Sequence, residues 1–547
     1  MNKVATYLQS HLSGEVLVSE KVREHFSTDA SILTIKPSIV VYPRTTNDIR
    51  KVARFSWQLA ERGHVLPITA RGNGTDLTGA AIGKGVILSM PAHLNKILEL
   101  DTKQKLVRVQ PGVNFKSLQE TLKTHGLFLP PAPESYEYST IGGALANNAS
   151  NIRAHKYGDI SNWVDRLEVV LANGEVIQTG LISKKEFNKK LGLPTLEGEI
   201  YRAVNAILSD GGDSLDGYQK SIQVAFDNTG FAFSSLRKKN GDIDLTQLFI
   251  GSQGTLGVIA EAILRVTSFT PTSSLTVAAF ASVDEALEVA GKLSKFKPGV
   301  LDIVDGELLE FVRKHNNIEL PDALKVDGKT PEALLFVEVD NVPPRTAQKV
   351  TKQITKVIAG FTDRFASSND LDEQEKLWSF RYSTSAFMTF DTGGKAALPM
   401  IQAVAVPAAA LHQFVMDAKA LCKKHHADVA IAAHVLSGNV TALPLFDLSK
   451  LGDRQRVFKL MDEYLRLAIK LGGSIAAASS EGRLRAPYAK LQLGSECANL
   501  VEQLKAAADP HGTMNPGVKT GVTPKELVEL LRKDYSSDPL LGYLPRL

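Results

Sequence analysis

The chain has little cysteine: two residues, Cys422 and Cys497, in 547. Two cysteines cannot form a disulfide framework or a four-cysteine zinc or iron–sulfur centre, and both are expected in the core. Long apolar runs are missing as well. No stretch approaches the roughly 18–20 residues of a membrane-spanning helix, and residues 1–19 contain no apolar core of signal-peptide length. Nor is there an excess of either charge. The net charge is +4, with basic and acidic residues interspersed, so nothing forms an electrostatic footprint for nucleic acid. These absences predict a soluble cytoplasmic protein with no nucleic-acid partner and no integral membrane segment. Attachment to the inner face of a membrane is left open.

What the chain does have is glycine in three clusters. They are Arg71-Gly-Asn-Gly-Thr-Asp-Leu-Thr-Gly79, Ser139-Thr-Ile-Gly-Gly-Ala-Leu-Ala-Asn-Asn148 and Phe249-Ile-Gly-Ser-Gln-Gly-Thr-Leu-Gly257. Glycine lets the backbone approach a ligand closely and lets successive N–H groups converge on an anion. Three such stretches, each beside an apolar run, suit one large phosphate-bearing cofactor held by several loops. Simpler nucleotide signatures do not fit. Leu77 stands where the third glycine of G-x-G-x-x-G belongs, and Gly85 replaces the Ser/Thr of a P-loop after Lys84.

Periodicity places these clusters between elements. Segments 38–42, 65–69, 85–90, 106–110, 167–171 and 175–178 read as strands, the last two joined by the hairpin signal Ala172-Asn-Gly174. Asn47 or Thr46 is expected to cap a helix with Ile49, Val52 and Ala53 inward, and Asn114 to cap another with Leu118 and Leu122 inward. Beyond a break at 270–274, strands at 275–280 and 334–339 alternate with helices at 283–294 and 346–359. Segments 321–331 and 367–375 read as polar loops. The pattern is α+β, with an antiparallel sheet in the second half covered by helices on one face.

The motifs Val40-Val-Tyr-Pro-Arg-Thr-Thr, the Arg71 loop, Val109-Gln-Pro-Gly112, Thr140-Ile-Gly-Gly143, Lys156-Tyr-Gly158, Val169-Val-Leu-Ala-Asn-Gly174 and Gly251-Ser-Gln-Gly-Thr-Leu-Gly257 occur in that order. The set resembles the PCMH-type FAD-binding domain of the vanillyl-alcohol oxidase and p-cresol methylhydroxylase flavoproteins. Trp378-Ser-Phe-Arg381, Val404-Ala-Val-Pro407, Gly482-Arg-Leu-Arg-Ala-Pro-Tyr488 and Asp509-Pro-His-Gly-Thr-Met-Asn-Pro-Gly517 resemble the cap of the D-lactate and glycolate dehydrogenase branch. The resemblance implies a helical lead-in at 1–36, a two-subdomain FAD-binding domain at 37–270, a cap at 271–517 and a tail at 518–547. It assigns FAD contacts to Arg71, Gly72, Asn73, Gly74, Thr75, Thr140, Gly142, Gly143, Asn147, Gly251, Thr255, Val258, Ile259 and Asn515. The FAD is expected to be non-covalent, since Thr75 stands where covalent relatives carry a histidine and the second loop has no cysteine.

The same resemblance implies oxidation of a 2-hydroxy acid, with hydride passing from C2 to the flavin and electrons to a quinone, cytochrome or flavoprotein. Arg381 is the expected carboxylate clamp, assisted by Lys395, and His434 the expected base. Here the chain departs from the family. Relatives of this branch carry two metal-ligating histidines in the first cap motif and a Glu-His pair in the next. This chain reads His434-Val-Leu-Ser-Gly-Asn-Val-Thr441 and Ala477-Ala-Ser-Ser-Glu-Gly-Arg483, so Thr441, Ala478 and Ser479 replace ligands. One histidine cannot hold a catalytic metal, and no metal is expected. A metal-free alcohol oxidase and a non-catalytic FAD-binding subunit remain as alternatives. His425 and His426 are expected at a solvated helix end.

Overall fold

A computed structural model describes residues 3–310, 319–387 and 394–535, with side chains to residue 381 in the middle segment. Residues 536–547 of the expected tail lie outside it. The first half carries two larger sheets and two two-stranded ones. Ile39–Tyr42, Val86–Ser89 and Ile68–Arg71 pair in parallel, and Glu15–Leu17 adds an antiparallel edge. The 1–36 lead-in therefore contributes a strand as well as helices Lys3–His11 and Glu20–His25. The second sheet is antiparallel, in the order Ile97–Asp101, Leu106–Val109, Val258–Arg265, Val164–Val170, Val176–Gln178. The cap of helix Thr46–Ala60 is Thr45, not Asn47 or Thr46. Its backbone is extended and its side chain accepts from Asp48 N, the geometry of an N-cap.

The second half is built on an eight-stranded antiparallel sheet centred on Ala333–Asp340, Val300–Asp305, Val429–His434 and Asn439–Phe446. Both of its faces are buried. Residues alternate between two cores: Leu301, Ile303, Leu335 and Val337 enter one, and Val300, Val304, Leu334 and Phe336 the other. That is why 333–340 reads as a near-continuous apolar run, as strands covered on both sides do. The expectation of helices on one face fails at 367–375. Those residues are not a loop; Phe365–Ser368 is a strand, and Leu371–Phe387 is a helix that covers the second face. Trp378 of this helix stacks on Phe336 at 5.7 Å.

The chain then returns to the first half. Helix Ala486–Ala508 puts Leu500, Val501, Leu504 and Ala508 into the first core. Ile68 N donates to Thr513 O at 2.7 Å, and Asn515 N to Ile68 O at 2.9 Å. Helix Pro524–Leu530 packs back onto the cap core through Leu527, and Arg532 N bonds Ile32 O. Both cysteines are buried. Among the described residues no helix is long and apolar enough to cross a membrane.

Candidate functional site

A cavity of about 1170 Å³ lies between the two halves. Its floor is the first two glycine loops, part of the third, and the turn at 130–139. Its roof is the end of the eight-stranded sheet with the helix carrying Arg381. The volume exceeds the roughly 300–1,000 Å³ of ordinary ligand pockets, so it suits a ligand of dinucleotide size.

The glycine loops hold one another. Asn73 Nδ2 donates to Tyr138 O at 2.7 Å, and Thr75 Oγ1 lies 3.3 Å from Ser139 Oγ. A Cβ on Gly72 would meet Thr140 Oγ1, one on Gly74 (φ +74°) would meet the Arg71 guanidinium, and one on Gly142 would meet Pro111. These glycines let the loops interlock. Gly143 and Gly254 differ: a Cβ on Gly143 would touch only Thr140 Oγ1, at 3.3 Å, and one on Gly254 would touch no protein atom. Both line the cavity, so each leaves bare backbone facing ligand space. Arg71 lines it too, with Nη1 donating to Thr28 O and Ala81 O while its buried Nε lacks a protein partner. An orphan donor beside glycines that a side chain would fill is the donor set a diphosphate needs.

The remaining expected contacts divide. Asn147, Val258 and Ile259 line the cavity, and Asn147 Oδ1 accepts from Gln253 Nε2 at 2.6 Å. Gly251, Thr255 and Asn515 are not among its lining residues. Gly251 N bonds Leu145 O, and Thr255 Oγ1 bonds Ser252 O. Asn515 is a brace: Nδ2 donates to Ala80 O and Gln253 O, and Oδ1 accepts from Thr69.

At the roof, strand register sets Asp302 opposite His434. Asp302 Oδ2 lies 2.7 Å from His434 Nδ1 and accepts from Arg381 Nε at 2.8 Å. Glu134 reaches up from the floor, with Oε1 3.4 Å from both Arg381 Nη2 and His434 Nε2. Asp302 is buried, whereas the Glu134 side chain is 53% exposed inside the cavity. Burial alone would pull His434 down. The Asp302 carboxylate, then its hydrogen bond and that of Glu134, outweigh this and push it up to about 9. Burial likewise works against Glu134, but His434 and Arg381 hold it at about 2. Asp302 is also held below its usual value, by His434 and then Arg381 against burial. The set is two cations and two carboxylates at neutral pH. His434 is charged there, so the expected base becomes available only on the alkaline side. Asn439, paired with His434 in the strand register, has a buried Oδ1 without a protein partner, and so does Asp302 through Oδ1.

Lys395 is not part of this cluster. It is exposed, pairs with Asp428 at 3.4 Å and is not among the lining residues. Thr441, Ala478 and Ser479 do line the cavity. Glu481 cannot substitute for the acid replaced at 478. It is fully buried behind the wall, accepting from Gly230 N and from Lys519 Nζ at 2.6 Å. Among the described residues no group of three or more His, Cys, Asp or Glu side chains could hold a metal ion. His425 is buried against Glu463 rather than solvated. Sequence reasoning missed Asp302 and Glu134. A signal existed for Asp302, an acid inside the apolar run Val300-Leu-Asp-Ile-Val304, where a charge needs a partner. Glu134 sits in an irregular proline-rich turn that carries none.

The fold and cavity define a protein with room for a dinucleotide between glycine loops and a charged cluster. Residues 37–180 match the FAD binding domain, and residues 271–518 match the C-terminal domain of the FAD linked oxidases. The chain belongs to that FAD-linked oxidase family, and FAD is the dinucleotide. It is 27% identical over 539 residues to a D-2-hydroxyglutarate dehydrogenase of Pantoea ananatis, covering 94% of this chain but 52% of the relative. The chain thus spans about half the length of that relative. It is 27% identical over 484 residues to the glycolate oxidase subunit GlcD of Bacillus subtilis, covering 88% of each. In fold it resembles substrate-bound p-cresol methylhydroxylase, with a TM-score of 0.68 at 15% identity, covering 95% of this chain and 96% of that one.

Proposed function

We propose that the protein is an FAD-dependent dehydrogenase of 2-hydroxy acids. The observation that carries this reading is the Arg381–His434–Asp302 cluster, which faces the glycine loops across one cavity. FAD, when bound, supplies a two-electron acceptor that takes hydride from substrate C2. Gly254 and Arg71 Nε would hold its diphosphate, and Gly143 would leave the space beside them. Arg381 receives the substrate carboxylate, since a guanidinium suits a bidentate anion contact. Asp302 fixes Arg381 and the His434 ring together. His434, once neutral, accepts the hydroxyl proton at Nε2 while Nδ1 donates to Asp302. Electrons leave for an external quinone, cytochrome or flavoprotein. Lys395 is proposed for no role. A second reading has one observation in its favour: Glu134 already stands at Arg381, so a neutral alcohol would leave that pairing undisturbed.

The test is anaerobic mixing of the purified holoprotein with D- and L-2-hydroxy acids and with alcohols. Bleaching by a hydroxy acid, and release of FAD rather than FMN on acid precipitation, is the expected result. Bleaching by alcohols alone would move the assignment to the second reading. A protein that takes up no FAD would end both.

A further inference from the structure

The two carboxylates at the cluster are not equivalent. Asp302 is tight, with contacts of 2.7 and 2.8 Å, and it comes from a buried central strand. Glu134 is loose, 3.4 Å from each cation, half-exposed, and it comes from the opposite wall. Its turn has no regular secondary structure at 131–139. A contact at 3.4 Å lies beyond the 2.7–2.9 Å of a strong charge-assisted hydrogen bond. Of the two carboxylates, Glu134 therefore gives up the weaker hydrogen bonds when it moves away. A substrate carboxylate has the same chemistry and needs the same Nη2 and Nε2 donors. Both cannot be served at once, and three carboxylates around two cations would repel.

We propose that Glu134 is a displaceable internal counter-ion: it occupies the anion subsite at Arg381 and His434 until a substrate carboxylate takes its place. The proposal rests on the hydroxy-acid reading above. It makes Glu134 a specificity-determining residue that weakens every anionic ligand by self-competition and discriminates against weak ones. Burial, the tight Asp302 contacts and the position of Glu134 on the floor all predict that only Glu134 yields.

The test is titration of the FAD-loaded protein with oxalate, a non-reducing dicarboxylate, followed by the change in flavin absorption. Glu134→Gln removes the competing charge and should lower the oxalate Kd roughly tenfold, the value of one charge-assisted contact. Glu134→Ala should do the same, and Glu134→Asp should stay near the parent or between the two. A gain in affinity cannot come from a damaged fold, and flavin content checks each variant. In steady state the KM for a reducing hydroxy acid should fall while kcat does not rise. If the parent binds oxalate and neither Glu134→Gln nor Glu134→Ala binds it more tightly, the counter-ion proposal is overturned and the hydroxy-acid reading stands. If neither parent nor variants bind oxalate and no hydroxy acid bleaches the flavin, both fall.

Discussion

Two buried ion clusters lie in the chain's second half, and they do opposite things. Glu481 and Lys519 are both fully buried, and their polar atoms are taken. Glu481 accepts from Gly230 N and Lys519, and Lys519 also donates to Gly230 O and Asn228 O. The Asp302–Arg381–His434 cluster is as charged but open. Oδ1 of Asp302 and of Asn439 lack protein partners, and one wall is cavity. A closed pair spends its polar capacity on the fold. An open one keeps capacity for a ligand. Breaking each should therefore register in different measurements.

The largest effect should come from the closed pair. Lys519→Met leaves Glu481 as a buried, uncompensated carboxylate, at a cost of about 3–5 kcal/mol of stability. The double variant Lys519→Met/Glu481→Gln should recover most of that loss in denaturant unfolding. If Lys519→Met unfolds at the parent midpoint, the closed pair is not structural and the contrast collapses.

The open cluster should answer to pH. His434 is pushed up to about 9 and faces Asp302, Glu134 and Arg381. The sign follows directly: below pH 9 it holds its proton, so the neutral base grows with pH. If His434 is the base, the rate of flavin reduction should climb about tenfold per pH unit from pH 7 and level off near pH 9. A flat profile over that range would show that His434 does not take the hydroxyl proton.

Arg381→Ala should lower kcat/KM for a 2-hydroxy acid by about 1.5–3 kcal/mol, the worth of a hydrogen bond to a charged group. Asp302 loses a partner as well, so the melting temperature should fall too. FAD content should hold, because Arg381 lies on the wall opposite the glycine loops. Unchanged kcat/KM would place the anion subsite elsewhere.

The contrast between the clusters also marks what could be read from sequence. Asn114 as a cap, the Gly174 hairpin and the strands at 39–42, 86–89 and 106–109 follow from local rules, since turn chemistry and period act over a few residues. The glycine loops were legible as a set because positive φ and close approach require glycine. The register pairing Asp302 with His434, and the reach of Glu134 across the cavity, join residues 132 and 300 positions apart. No local pattern encodes such contacts. The start of Leu371–Phe387 reads as loop because four acids cluster in 370–375, although a helix tolerates acids in its first turn.

The smallest effect should sharpen the account of the floor. Thr140 caps helix Ile141–Asn147, its Oγ1 accepting from Gly143 N at 3.2 Å. The same Oγ1 stands 2.3 Å from where a Gly72 Cβ would lie. One hydroxyl therefore both caps a helix and forces glycine on the neighbouring loop. Thr140→Ala should cost about 1 kcal/mol as a lost cap, and Thr140→Ser should cost less because it keeps the oxygen. Gly72→Ala alone should be destabilising through overpacking. In the Thr140→Ala background the nearest remaining atom is the Thr140 Cβ position at 3.3 Å, a tight but adjustable contact. Gly72→Ala should then cost less than in the parent, a non-additive cycle expected of residues in contact. Urea midpoints of the four proteins measure it. Strict additivity would mean that Gly72 is required by ligand space rather than by Thr140, and the floor would then have three open glycines instead of two.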